Sequence, residues 1–465
     1  MLGDDKKRAC SKDGEWVNQR GTMSMEKTAQ PILAQSHAAP GVRTSRTIKR
    51  TMLRLAATLA LAAGLFVFAS SAAWAQLESP WEWGPIAGAL ESTAATVSWS
   101  TLRPAEADLV YGEAAFYDAT GLWQETLSFG EYGGLAEVRL DGLLPGTTYR
   151  YQVTIYDGDA IYASDVHAFT TVDPNARSGQ ILVYGNTLGG GEWHRWLIQS
   201  IASSSTGFGA QWLINVGGVV HEATADAYGR LLDDIALGSA ASSFAYATVR
   251  GDVEALNDLY YDFFALPTGG GTFDEQWWSL DVGAVHVVAI DTAVLTGDGS
   301  WPADAGIVAE QLGWLREDLA QSNGLFNVVL LAEPIIASCL PDGQNETLLS
   351  LLEDIFRNGD VRVVISGGVG YYEHSYKRGV HYVVTGGGGG YLLESCAWRS
   401  SSLVMQRFGA LHVIRLTAAD NALRVEAVPV ATVYAEGVDI AGNPRLVLHP
   451  VPSGQAFDAF TLRAQ

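Results

Sequence analysis

Lysine is almost absent from most of this sequence. The 465 residues include 29 Lys and Arg against 51 Asp and Glu, and after residue 75 the only lysine is Lys377. Residues 1–75 hold 11 of the basic and 5 of the acidic residues, which leaves 18 basic and 46 acidic residues and a net charge of −28 beyond them. A surface of this charge repels nucleic acid and anionic lipid, so we expect no nucleic-acid partner.

Cysteine is scarce too, with three residues in the whole chain. Cys10 lies in the N-terminal segment, and neither Cys339 nor Cys396 has a local partner at metal-ligand spacing, which disfavours a two-cysteine metal site. In an oxidising compartment Cys339 and Cys396 would form a disulfide, provided that their Cα atoms lie within bonding range.

Several catalytic motifs are missing. The chain has no Gly-x-Ser-x-Gly sequence, which argues against an α/β-hydrolase esterase, and no His-Glu-x-x-His sequence, which argues against a zinc-binding helix. Five consecutive glycines occupy residues 386–390, but no helix beginning with Lys-Ser or Lys-Thr follows them. A tight turn is therefore a better interpretation of these glycines than a phosphate-binding loop.

The N-terminus has the pattern of a secretory signal peptide. Lys49, Arg50 and Arg54 precede an apolar run at residues 55–69, and a small-residue cleavage site ends at Ala75. The run is shorter than the about 20 residues that cross a bilayer.

We therefore predict a polar leader at residues 1–51, with Met52 as a plausible true start, and a signal peptide at residues 52–75. The protein would be secreted or periplasmic and would have no transmembrane segment after cleavage. A retained N-terminal anchor is the alternative.

Residues 80–172 are typical of an all-β module. Short β-rich runs lie at residues 96–100, 107–111, 136–140 and 149–156. Pro145 and Gly146 predict a turn before the last run, and Tyr149 enters the next strand where its hydroxyl can bond back to the corner backbone. The module resembles a fibronectin type III domain, with Trp99 as its core tryptophan and Tyr149 as its corner tyrosine.

Residues 178–430 alternate strands with helices. Buried-type apolar runs lie at residues 181–184, 212–216, 284–290, 327–331, 361–365 and 381–385. Two apolar stripes predict helices at residues 308–319 and 348–356. Asn345 is the expected cap of the second helix. A hairpin is predicted around residues 418–421, and residues 431–465 form an extension that adds an edge strand or a tail.

The loops after these strands are where an α/β fold assembles a site. In chain order they contain Gly185-Asn186, Gly217-Gly218 with His221, Gly251-Asp252-Val253-Glu254, Ala332-Glu333-Pro334 and Ser366-Gly367-Gly368-Val369-Gly370. In order and spacing, the segments resemble the calcineurin-like metallophosphoesterase superfamily, closest to its purple acid phosphatase branch, over residues 80–430. The resemblance implies a multidomain α+β protein, in which a β-sandwich precedes a four-layer α/β/β/α domain.

In that family the five segments read G-D, G-D-x-x-Y, G-N-H-[DE], H-x-P and G-H-x-H. Their side chains hold two metal ions that activate a water for attack on phosphorus, which requires oxygen and imidazole donors and a bridging carboxylate. Three positions keep a donor: the first aspartate corresponds to Asn186, the tyrosine to His221 and the asparagine to Asp252. The histidine of the third segment corresponds to Val253, and Glu254 retains the acidic residue after it.

The other four ligand positions have no donor side chain. The bridging aspartate corresponds to Gly218, the histidine before proline to Ala332, and the final histidine pair to Gly368 and Gly370. Since the bridge is among the losses, we expect that the usual two-metal site does not assemble and that no cofactor binds. A single divalent ion held by the three remaining donors is the alternative.

The sequence therefore predicts a catalytically degenerate phosphatase homologue that acts as a binding or structural module for an unknown ligand or protein partner. An active phosphoesterase with a remodelled site, using Asn186, His221, Asp252 and Glu254 around one ion, is the second hypothesis. Adhesion to a cell surface or matrix through the fibronectin-like module is the third.

Overall fold

The structure is a computed structural model that describes part of the chain. The described ranges are 9–10, 16–17, 79–203, 209–239, 244–297, 303–390, 403–419, 421–438, 444–451 and 455–464. The unit Met1–Ser79 contributes two short antiparallel strands, β1 (Ala9–Cys10) and β2 (Trp16–Val17), and the predicted signal peptide lies outside the described residues. Among the helices of the described ranges, none is long and apolar enough to cross a membrane.

The unit Pro80–Gln465 begins with the all-β module. Its elements are β3 (Trp81–Gly88), β4 (Ala94–Glu113), α1 (Ala114–Thr120), β5 (Glu125–Asp141), β6 (Thr148–Asp157), β7 (Ala160–Ala163) and β8 (His167–Thr170). The sequence predicted separate strands at residues 96–100 and 107–111, whereas both belong to β4. This long strand pairs with β3 along its first part and with β6 along its second.

Two markers predicted for this module are in place. Trp99 is fully buried in the module's core. The hydroxyl of Tyr149 accepts a hydrogen bond from the backbone N–H of Leu144 (2.9 Å), so the tyrosine ties its strand to the preceding corner.

Two mixed sheets and their helices follow. The seven-stranded sheet contains β9 (Gly179–Tyr184), β10 (Trp212–Asn215), β11 (Ala245–Thr248), β20 (Leu411–Ala419), β21 (Ala422–Val438), β22 (Pro444–Pro450) and β23 (Asp458–Arg463). The eight-stranded sheet contains β12 (Gly269–Gly270), β13 (Trp277–Val282), β14 (Val285–Ile290), β15 (Phe326–Leu331), β16 (Val361–Ser366), β17 (Tyr372–Lys377), β18 (Val380–Thr385) and β19 (Val404–Phe408). The helices are α2 (Glu192–Ser203), α3 (Ala225–Ser239), α4 (Leu259–Phe263), α5 (Thr292–Thr296), α6 (Ala305–Gln321) and α7 (Glu346–Asn358).

The parallel strands lie at one end of the seven-stranded sheet and at the centre of the eight-stranded sheet. The first sheet runs β11-β10-β9-β20-β21-β22, with β23 also on β21, and β9, β10 and β11 are parallel. The second sheet runs β12-β13-β14-β15-β16-β18-β17-β19, with β14, β15, β16 and β18 parallel. The C-terminal ends of parallel strands share one edge of their sheet, and this is where the site loops lie.

Alternate residues of the central strands face different layers, because side chains along a strand point to opposite sides. On β14, Val287 belongs to the core shared with the first sheet, whereas Val288 packs with the helices α6 and α7. On β15, Val328 likewise belongs to the core shared with the first sheet, and Val329 packs with the helices. The second sheet therefore lies between the first sheet and a helical layer, and the predicted multidomain α+β fold is confirmed.

The local helix and hairpin signals were predicted correctly. Helices α6 and α7 cover the two apolar stripes, and the Asn345 side chain accepts a hydrogen bond from the N–H of Leu348 (3.1 Å) as the cap of α7. The predicted hairpin is β20–β21, with Ala419 opposite Ala422. Of the extension at residues 431–465, the structure describes the end of β21 and the strands β22 and β23, which both pair with β21.

Cys339 is disulfide-bonded. It lies in the segment between β15 and α7. Cys396, its predicted partner, lies outside the described residues, so the pairing stays a prediction.

Candidate functional site

The candidate site lies where the two sheets end together. The Asn186 N–H, after β9, donates a hydrogen bond to the Gly217 carbonyl, after β10 (2.9 Å). A β-carbon at Gly251, after β11, would lie 3.2 Å from the β-carbon of Ala332, after β15. The loops that the sequence analysis singled out are therefore neighbours, although they are widely separated along the chain.

Glycines allow the backbones of these loops to touch. A β-carbon at Gly217 would lie 2.6 Å from the Cα of Ala332, and one at Gly367, after β16, would lie 2.1 Å from the Val216 carbonyl oxygen. Both distances are far inside van der Waals contact. Space between the loops at these points is taken by main chain, and no larger residue fits without moving a loop.

The positions of the two family aspartates lie side by side. Asn186 is buried, with a φ of +64°, and a β-carbon at Gly218 would lie 3.0 Å from its Oδ1. Gly218 has a φ of +58°, in the left-handed region that favours glycine. The structure thus places the predicted donor Asn186 beside the position that lacks the bridging carboxylate.

His221 and Asp252 lie nearer the surface. The Nδ1 of His221 is 3.2 Å from the carbonyl oxygen of Leu188, and the His221 side chain is 53% exposed. Asp252 is exposed, and its carboxylate accepts a hydrogen bond from the N–H of Val253 (2.9 Å). Their roles as metal ligands, like that of Asn186, stay predictions.

Glu254 connects two of the site loops. Its carboxylate accepts hydrogen bonds from the N–H of Val220 (2.9 Å), after β10, and from the N–H of Gly251 (3.0 Å), after β11. The Glu254 side chain is fully buried, and this burial raises its pKa to about 7, although the backbone hydrogen bonds oppose the rise. Glu254 is therefore a buried clamp between the loops.

A Glu254→Gln variant is expected to flatten the pH dependence of stability. The folded-state pKa of Glu254 lies above its ordinary value of 4.5, so its favourable contribution is complete below pH 4.5 and is lost as the pH rises through about 7. Because glutamine stays neutral, the wild type should lose about 2–3 kcal/mol relative to the variant between pH 4.5 and pH 8. Urea unfolding at both pH values measures this difference.

The matched control is Glu222→Gln, since Glu222 is an exposed carboxylate in the same region of the chain. The control should retain the pH profile of the wild type. Parallel profiles for the wild type and Glu254→Gln would contradict the assignment of this titration to Glu254.

The positions of the three family histidines are closely surrounded by backbone. Ala332 is buried, and a β-carbon at Gly368 would lie 3.0 Å from the Ala332 carbonyl oxygen. Gly368 has a φ of +76°, which strains any residue with a side chain. Gly370 lies against Gly386, where a β-carbon would be 2.8 Å from the Cα of Gly370.

The residues at the seven positions do not fit a pair of metal ions. A dinuclear centre needs a carboxylate between the ions, and that position is Gly218. In the part of the chain that the structure describes, no three His, Cys, Asp or Glu side chains are grouped so that they could hold one ion. The donor chemistry expected from the resemblance is therefore incomplete.

Sequence reasoning missed a charged group beside this site. The carboxylate of Asp291, buried after β14, accepts hydrogen bonds from Nη1 of Arg250 (2.5 Å) and from Nε2 of Gln276 (2.9 Å). Burial raises the pKa of Glu333, and the carboxylates of Asp252 and Asp291 raise it further, so these acids share one electrostatic neighbourhood. The sequence feature that could have identified Asp291 is its position directly after a buried strand.

No protein-family model matches this chain, and no curated protein matches it. Two solved structures resemble it over most of its length. One is a purple acid phosphatase, PPD1, from yellow lupin seeds (15% identity, TM-score 0.58), which aligns with 82% of this chain over 74% of its own. The other is PhoD (12% identity, TM-score 0.57), which aligns with 83% of this chain over 90% of its own. At these identities the likeness establishes the fold.

Proposed function

We propose that this protein, which has the calcineurin-like metallophosphoesterase fold, is a secreted or periplasmic binding or structural module that no longer carries out two-metal phosphoester hydrolysis. The observation that carries the proposal is the backbone contact between site loops at positions where the resemblance requires metal ligands. Gly218, Ala332 and Gly368 offer no donor atoms, and their surroundings leave little room for larger side chains.

Two features support export. The N-terminal sequence has the pattern of a signal peptide, and Cys339 is disulfide-bonded, a state that persists in oxidising compartments. The high net negative charge suits a protein that stays in solution and avoids anionic surfaces.

The loss of the bridging carboxylate has the largest chemical consequence. Two divalent cations a few ångströms apart repel each other unless an anionic ligand lies between them. Asn186, the remaining donor beside that position, is neutral and binds cations more weakly than a carboxylate. The reaction implied by the resemblance is attack of a metal-activated water on phosphorus. This chain lacks the bridging carboxylate that would hold the two metal ions for that reaction.

The test is metal content together with phosphatase activity. The purified protein would be analysed for transition metals and for Mg²⁺ and Ca²⁺, and assayed with p-nitrophenyl phosphate beside a catalytically active purple acid phosphatase. We expect no stoichiometric ion and no turnover above the uncatalysed rate. Two ions per chain and turnover near that of the control would refute the proposal.

A phosphoesterase with a single ion is the second candidate function. It is favoured by the neighbouring carboxyl groups of Asp252 and Glu333, which would attract a cation to the end of the sheets, whereas Arg250 balances the charge of Asp291. An Asp252→Ala variant distinguishes it, with Glu222→Ala as the exposed control. Any measured phosphatase activity should fall at least about tenfold in Asp252→Ala alone, and unchanged activity would eliminate this candidate.

A further inference from the structure

The C-terminal strand β23 is joined to both sheets. It pairs with β21 in the seven-stranded sheet. Its side chains also reach β17 of the eight-stranded sheet, because the Asp458 carboxylate accepts hydrogen bonds from the Tyr372 hydroxyl (2.8 Å) and from Nδ1 of His374 (2.7 Å). The other ring nitrogen of His374 lies 2.9 Å from Nδ1 of His381.

Aromatic stacking closes the same cluster. The ring of Phe460, two residues after Asp458, stacks on His381 at a centroid distance of 4.1 Å and on His374 at 4.6 Å. The ring of Tyr376, in β17, packs on that of His381, in β18, at a centroid distance of 4.7 Å. His374 is buried, so the carboxylate, the two imidazoles and the phenyl ring form one compact connection between the sheets.

The hydrogen bonds that link Asp458, His374 and His381 can persist when one imidazole is protonated but not when both are. When His374 is neutral, its Nε2 can accept a hydrogen bond from His381. When His374 is cationic, it donates to Asp458 and to His381, and the carboxylate balances its charge. If both imidazoles are cationic, two N–H groups face each other across 2.9 Å, and a single carboxylate cannot balance both charges.

We propose that Asp458, His374 and His381 form an acid-sensitive clasp that fastens the C-terminal strand to the eight-stranded sheet and releases it when both imidazoles are protonated. The titratable groups that face the clasp are Asp458 of β23, Tyr372 and His374 of β17, with Tyr376 as a ring contact, and His381 of β18. Two further basic side chains lie beside these groups: the ring of His412 of β20 meets that of Tyr372 edge-on (5.6 Å), and Nη1 of Arg362 of β16 donates a hydrogen bond to the Arg463 carbonyl of β23 (3.0 Å).

The titration behaviour agrees with this geometry. Burial and the neighbouring His374 lower the pKa of His381 to about 4. Burial raises the pKa of Asp458, but hydrogen bonds from His374 and Tyr372 outweigh it, and the net pKa lies below its ordinary value. The clasp therefore favours an ionised Asp458 and a neutral His381 at neutral pH. The contribution of His381 declines as the pH falls below 6.5 and is lost by about pH 4.

Hydrogen–deuterium exchange of the full chain tests the clasp. Exchange of a peptide covering residues 456–464 would be measured from pH 7 to pH 4, with correction for the intrinsic pH dependence of exchange. We expect its protection to fall at least about tenfold while peptides covering β9 and β10 stay protected. In His381→Phe, which keeps an aromatic ring beside Phe460 but cannot take up a proton, this loss should disappear.

The matched control is His167→Phe in the all-β module. Burial lowers the pKa of His167 to about 4 as well, and its ring stacks on Tyr151 (5.4 Å), so the variant removes an equally perturbed histidine elsewhere. It should keep the acid response of residues 456–464. The clasp is wrong if these residues lose protection only when the whole chain unfolds, or if His381→Phe responds like the wild type. The wild-type profile alone decides the question if His381→Phe does not fold.

Discussion

A Gly367→Ala variant is expected to lose about 3 kcal/mol or more of folding stability, because the added methyl group would overlap the backbone of another loop. Its β-carbon would lie 2.1 Å from the Val216 carbonyl oxygen and 3.0 Å from the carbonyl carbon. Neither atom belongs to a flexible side chain, so the loops after β10 and β16 would have to separate. Urea unfolding followed by circular dichroism measures the loss.

Gly313→Ala is the control for this substitution. Gly313 lies inside helix α6, and a β-carbon there would meet nothing within 4 Å. Alanine should therefore stabilise the chain by about 0.5–1 kcal/mol through its higher helix propensity. If the two variants unfold at similar urea concentrations, the loop contact at Gly367 is not as close as the structure indicates.

A Trp83→Ala variant is expected to lose about 3–5 kcal/mol, because Trp83 packs the all-β module against the phosphoesterase-fold domain. Its side chain is buried, and its ring lies 6.2 Å from that of Phe263 in α4, measured between centroids. The indole N–H makes no hydrogen bond within the described ranges, so the change removes packing alone. Calorimetry should show a lower melting temperature and a broader transition as the two parts separate.

Trp123→Ala provides the comparison within the same module. Trp123 is only partly buried, and its ring packs on that of Tyr117 at 4.3 Å. Its removal should cost about 1 kcal/mol and leave a single transition. Equal losses in the two variants would contradict a special role for Trp83 between the module and the domain.

The close glycine contacts also determine whether the missing metal ligands could be restored by substitution. Restoring histidine at Gly368 would place a side chain on a left-handed backbone with its β-carbon 3.0 Å from a carbonyl oxygen. Restoring aspartate at Gly218 would crowd the Oδ1 of Asn186. Reintroducing single ligands therefore does not rebuild a metal centre unless the loops also move apart.

Local patterns in the sequence were sufficient for much of the fold. The cap at Asn345, the hairpin around residues 418–421 and the corner bond of Tyr149 each depend on residues close together in the chain, and each was confirmed. The order of apolar runs and helical stripes also indicated strands alternating with helices, because periodicity reports which face of an element is buried, whereas the layered arrangement was expected from the family resemblance.

Contacts between distant residues could not be predicted in this way. Asp458 and His374 are 84 positions apart, and Val220 and Glu254 are 34 apart, so no local period links them. Their proximity depends on how loops and strands from separate parts of the chain pack. The acidic neighbourhood of Asp291 was missed for the same reason.

The sequence by itself determined which donor atoms exist at the strand ends, since glycine and alanine carry none in any conformation. It also determined the acidic charge of the chain. Only the tertiary structure decided that main chain from neighbouring loops fills the space beside those positions, and that one carboxylate and two imidazoles meet at the C-terminal strand. Chemical identity belongs to each residue, whereas distance between residues is set by the path of the whole chain.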